Sequence, residues 1–148
     1  MLSAPEPRVL PGARIGCDLQ RVDVVEDAIR DFGARYLDRV YTSEEQASYR
    51  TGGASSLAAR FAAKEAVLKL LGTTDGVDLR SIEIRKPAER PEVHLDGAAA
   101  ELARAAHIGR IDVSLSHTGD LAMAVAVAVT TTDPADSADP AIADRHTR

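Results

Sequence analysis

The spacing of apolar positions changes several times along the chain, and each spacing predicts an element. A short strand is expected over 14–19, followed by a helix in which Val25, Ala28, Ile29 and Phe32 share a face and Gly33 supplies the stop. A second short helix buries Tyr36, Leu37 and Val40. Thr42 stands three residues before Glu45, the spacing of a capping box, and Gly52 and Gly53 close the helix it opens. Ser55 or Ser56 caps a longer helix over 57–71 that ends at Gly72 and is rich in strong helix formers. Ile82 and Ile84, then Val93 and Leu95, alternate with polar residues on either side of a Pro-bounded turn, which predicts a β-hairpin. A helix from about 97 to 107 ends at Gly109, and strands over 111–116 and 121–129 flank the turn His117-Thr118-Gly119-Asp120.

This order, with helices gathered early and antiparallel hairpins late, predicts an α+β fold: an antiparallel sheet with helices packed on it. The strand from Met123 to Val129 is apolar on both faces, so it is expected at the centre of a sheet covered on both sides, or at a subunit interface.

Composition narrows the function classes. The 148 residues, 45% hydrophobic and 28% charged, show no internal repeat and suit one domain with a real core, placed at 14–130. Residues 1–13, with Pro5, Pro7 and Pro11, and residues 131–148, small, polar and net acidic, read as flexible tails. Cys17 alone excludes an internal disulfide. No apolar stretch approaches the ~20 residues a bilayer span needs, and no basic start leads into an apolar run, so a cytoplasmic protein is expected. A net charge of −5 gives no general attraction to nucleic acid or anionic membrane, and 3% aromatics without Trp leave little for base stacking. An anionic partner must be met locally.

The helix over 57–71 offers the means. It is apolar around its whole circumference, the mark of a buried helix, yet it carries Arg60, Lys64, Glu65 and Lys69. Glu65 and Lys69 lie one turn apart, and so do Arg60 and Lys64. The bland reading is a Glu65–Lys69 pair at the helix rim. The alternative is that three cations exceed what one carboxylate neutralises, so that a phosphate or pyrophosphate, linked through a divalent metal on Glu65, balances the excess. Asp18 ends the first strand just after Gly16, as a turn or capping residue or as a second metal ligand if it meets Glu65. Ser114, Ser116, His117 and Thr118 collect donors at a strand end. Neighbours on a strand point to opposite faces, which rules out a Ser–His catalytic pair there, and no nucleophile elbow or Gly-rich phosphate loop occurs. His94 and His107 carry no chemistry in this reading, and no zinc-site spacing is present.

Four blocks in order, Ile15-Gly16-Cys17-Asp18, the run from Arg60 to Lys69, Ser81-Ile82-Glu83-Ile84 and the run from Val113 to Thr118, resemble the 4′-phosphopantetheinyl transferases of the small holo-[acyl carrier protein] synthase type. The resemblance implies their α+β fold and transfer of the phosphopantetheine arm of coenzyme A to a serine of an apo acyl carrier protein, with release of adenosine 3′,5′-bisphosphate. It implies Mg²⁺ on Asp18 and Glu65, and a catalytic pair of Glu65 and Lys69. Lys64 and Lys69 match phosphate contacts, while Arg60, Ser116, His117 and Thr118 match the surroundings of the adenosine and its 3′-phosphate. A homotrimer with active sites between subunits is implied as well, in fatty-acid or polyketide synthesis. Arg35 and Arg39 match basic positions of the carrier-docking surface.

The chain also departs from the pattern. Gln20 and Arg21 stand where a further acidic residue is common, and Val24 replaces a basic residue at the docking helix, a loss for which Arg21 would compensate. A non-catalytic coenzyme A or carrier-binding module of the same fold, and an unrelated Mg²⁺ phosphohydrolase, are the alternatives.

Overall fold

The computed structural model describes residues 12–73 and 75–130. The two expected tails lie outside these, apart from residues 12 and 13. Strand β1 (Ala13–Arg21) leads into helices α1 (Val22–Phe32), α2 (Ala34–Val40), α3 (Ser43–Ala47) and α4 (Tyr49–Leu71). A 3₁₀ turn (Leu79–Ser81) precedes the hairpin β2 (Ile82–Arg85) and β3 (Glu92–Leu95), helix α5 (Gly97–Ala105), and strands β4 (Ile108–Thr118) and β5 (Leu121–Thr130). The predicted α+β order stands.

One antiparallel sheet has the order β1-β5-β4, and β2 and β3 pair separately. β5 is central, as its apolar run requires. Its inward residues Ala122, Ala124, Ala126 and Ala128 are buried and small, which lets α4 lie close across the sheet. Gly16 serves the same end on β1: a Cβ there would run into the backbone carbonyl of Ala66 on α4. Among the described residues, only this face is covered. Ile15, Leu19, Met123, Val127 and Val129 form an outer apolar face that is open, Ile15 being 70% exposed.

Three boundaries differ from expectation. Gly52 and Gly53 do not end α3, which stops at Ala47. Helical turns resume at Tyr49 and run on across a break at Gly53, whose φ of 63° and ψ of −163° suit glycine alone. Neither Ser55 nor Ser56 is an N-cap: their hydroxyls donate to the Gly52 carbonyl and to Ser48 Oγ. His107, at φ 55°, takes the left-handed turn after α5 that had been expected of Gly109. The Thr42–Glu45 capping box forms as predicted. No helix among the described residues is long and apolar enough to cross a membrane.

Candidate active site

Helix α4 turns a different side chain toward each neighbour at every ~100° step. Glu65 opens onto a cleft of about 550 Å³ bordered by Arg39, Val40, Leu68, Val77, Leu79 and Arg80. Lys69, one turn on, reaches the other way across β1, donating to Asp18 Oδ1 at 2.8 Å and to the Cys17 carbonyl at 3.0 Å. The rim pair expected between Glu65 and Lys69 is therefore not the contact made; Lys69 holds Asp18.

Asp18 and Glu65 nevertheless sense each other. Burial raises the pKa of Glu65, the Asp18 charge raises it further, and Lys69 offsets part of this. Two carboxylates in mutual repulsion, both hard oxygen donors, are a set that a divalent cation relieves. No group of three or more His, Cys, Asp and Glu side chains placed to hold a metal ion occurs among the described residues.

The phosphate role expected of Lys64 is corrected. Its side chain is 0% exposed and its ammonium donates to Glu45 Oε2 at 2.7 Å and to the Leu79 carbonyl at 2.9 Å, leaving no path to a phosphate. Glu45 answers Lys64 and Asp18 answers Lys69, so two of the three cations of α4 are already paired.

Arg60 donates through Nη1 to the carbonyl and hydroxyl of Ser56, at 3.2 and 2.7 Å, while its buried Nε has no hydrogen-bond partner. Desolvation lowers its pKa, with Glu45 and Tyr41 opposing. A guanidinium with an unmet N–H remains receptive to an acceptor. At the end of β4 the register divides the expected group. His117 pairs with Ala122 and so shares the α4 face with Asp18, whereas Ser116 and Thr118, opposite Met123 and Leu121, sit on the outer apolar face. Within one chain, Ser116 and Thr118 do not join the two carboxylates. Arg39 borders the cleft, Arg35 is on exposed α2 surface, and Arg21 is ion-paired to Asp23 at the start of α1.

Glu45 is the residue that sequence reasoning missed as part of the site. Its capping-box spacing was visible, but a five-residue helix carries no periodicity to reveal that the carboxylate of Glu45, rather than that of Glu44, is buried.

Comparison with known proteins identifies the family. The family model for the 4′-phosphopantetheinyl transferase superfamily matches residues 14–126. The holo-[acyl-carrier-protein] synthase of Chloroflexus aggregans is 42% identical over 129 residues, 76% of this chain and 92% of that protein. The one from Halorhodospira halophila is 40% identical over 80% of this chain and 98% of its own length. Among solved structures, the holo-[acyl-carrier-protein] synthase of Neisseria meningitidis superposes with a TM-score of 0.71 at 30% identity, covering 78% of this chain and 96% of that one. That of Helicobacter pylori, in complex with coenzyme A, gives 0.69 at 29% identity over 77% and 98%. The chain belongs to the 4′-phosphopantetheinyl transferase superfamily. Within it, the chain is a transferase of the holo-[acyl-carrier-protein] synthase type.

Proposed function

We propose that the chain moves the 4′-phosphopantetheine arm of coenzyme A onto a serine of an apo acyl carrier protein, with Asp18 and Glu65 as the ligands of a Mg²⁺ ion. What supports this is that the Asp18 charge acts on Glu65, 47 positions away in the chain, that Lys69 acts on both carboxylates, and that Glu65 borders a cleft. With Lys64 and Lys69 already paired to carboxylates, a divalent cation on Asp18 and Glu65 would add to the positive charge that attracts a pyrophosphate. Bound there, Mg²⁺ would supply positive charge where the leaving phosphate gathers negative charge.

In the transfer, the serine oxygen forms a bond to the β-phosphorus while the bond from that phosphorus to the bridging oxygen breaks, freeing adenosine 3′,5′-bisphosphate. The serine proton needs an acceptor. Glu65, whose proton affinity is raised by burial and by Asp18, is the group for it. Lys69, swinging from Asp18 to the phosphate, would offset the charge on the departing oxygen. Arg60, whose Nε has no hydrogen-bond partner, and His117, on the same sheet face as Asp18, are suited to the adenosine phosphates.

The outer apolar face of the sheet supports the homotrimer. Packing it against neighbouring copies would cover Leu19, Met123 and Val127 and place Ser116 and Thr118 at a subunit boundary. The carrier would meet Arg35 and Arg39, with Arg21 freed from Asp23, since carrier proteins are acidic. Fatty-acid or polyketide synthesis and a cytoplasmic location complete the reading.

The experiment is to weigh an apo carrier protein after incubation with this chain, coenzyme A and Mg²⁺. A mass gain of one phosphopantetheine is expected, abolished by a chelator. Coenzyme A binding without mass gain would favour the non-catalytic module, and free phosphopantetheine without an acceptor would favour the hydrolase.

A further inference from the structure

The Glu45–Lys64 pair bonds backbone groups within or close to two of the segments that border the cleft. Lys64 belongs to α4, one residue from Glu65, and its Nζ donates to the carbonyl of Leu79 at 2.9 Å. Leu79 lies with Val77 and Arg80 on the opposite border. Glu45 Oε2 accepts from the Thr42 amide at 2.9 Å, two residues past Val40 on the third border, and Oε1 accepts from the Ile84 amide at 2.8 Å, just beyond the 3₁₀ turn. The Lys64 ammonium stands 5.8 Å from the centre of the Tyr41 ring, and the Tyr41 hydroxyl donates to the Leu57 carbonyl, which packs the junction closed.

Both side chains are 0% exposed. A buried pair of this kind is a poor source of stability, since apolar residues of equal volume in its place are often neutral or better. What apolar residues do not reproduce is the directed set of bonds to Thr42, Leu79 and Ile84. We infer that the Glu45–Lys64 pair is a positioning unit for the transfer: it fixes the spacing between α4 and residues 77–80, and so how firmly the cleft beside Glu65 holds coenzyme A. The inference rests on the reading that coenzyme A occupies this cleft.

The test combines two variants with an independent probe of the cleft. Lys64→Met alone strands a buried carboxylate and is expected to lower the melting temperature sharply. The double variant Glu45→Gln with Lys64→Met removes both charges and is expected to recover most of that loss. Its KM for coenzyme A is nonetheless expected to rise about tenfold or more, with kcat within about threefold of the parent. Amide exchange over 79–84 should quicken in the same protein. Glu45→Asp keeps the charge but shortens the reach, and should raise KM in the same direction even if the double variant does not fold. Val77→Trp, which narrows the cleft without touching the pair, should raise KM too. Parental KM in Val77→Trp would overturn the placement of coenzyme A, and this inference with it. Parental KM in the folded pair variants, with Val77→Trp impaired, would overturn the positioning role alone.

Discussion

Glu65 combines two properties that usually oppose each other: it is partly buried beside another carboxylate, yet its work requires the ionised form. A carboxyl whose folded pKa is raised destabilises the native state at any pH above its unfolded value, because folding then desolvates a charge. Glu65→Gln should therefore melt above the parent at pH 7, and the gain should fade as the pH falls toward the ordinary carboxylate value near 4.5. Transfer should drop by about 10² or more in the same variant. Calorimetry from pH 5 to 8 alongside the carrier assay checks both; a Gln variant less stable than the parent at pH 7 would contradict the electrostatic reading. Lys69→Met removes the partner of Asp18. Because the Lys69 side chain is 45% exposed, the stability cost should be small. The loss should fall more on kcat than on coenzyme A binding, as single-turnover kinetics with separate binding measurements would show.

Among the elements, the contact of β1 with α4 matters most, because it brings Asp18 to Lys69 and Glu65. It depends on Gly16 lying against the Ala66 carbonyl. Gly16→Val should cost about 1–3 kcal/mol in urea unfolding and reduce transfer out of proportion by separating the two carboxylates; unchanged transfer would mean the spacing is not set here. Much of this was legible in advance. The all-round apolar character of α4 announced a buried helix, and the two-sided apolar run of β5 announced a central strand. The Thr42–Glu45 spacing announced a cap. The partners of Lys64 and Lys69 were not legible, since each lies on another element at long range and periodicity carries no information about contacts between elements. The helix break was misplaced for a related reason: Gly53 can interrupt a helix without ending it when the turns that follow are packed, as residues 57–59 are.

At the level of the molecule, the described residues leave one sheet face apolar and open while the opposite face is covered by α4. The register that seals one side places Ser116 and Thr118 on the other, so a trimer formed through that face would bring residues from two copies to one site. Val127→Lys is expected to yield monomers by sedimentation and to lose most transfer activity, whereas a fully active monomer would contradict the shared site. The account as a whole depends on Asp18 and Glu65 holding a divalent ion in common. Mn²⁺ is a paramagnetic stand-in for Mg²⁺, and titrating it into the protein in the presence of coenzyme A, followed by electron paramagnetic resonance, measures this directly. One ion per chain is predicted for the parent, with a loss of at least about tenfold in affinity for folded Asp18→Asn and Glu65→Gln. Undiminished binding in either variant would contradict it.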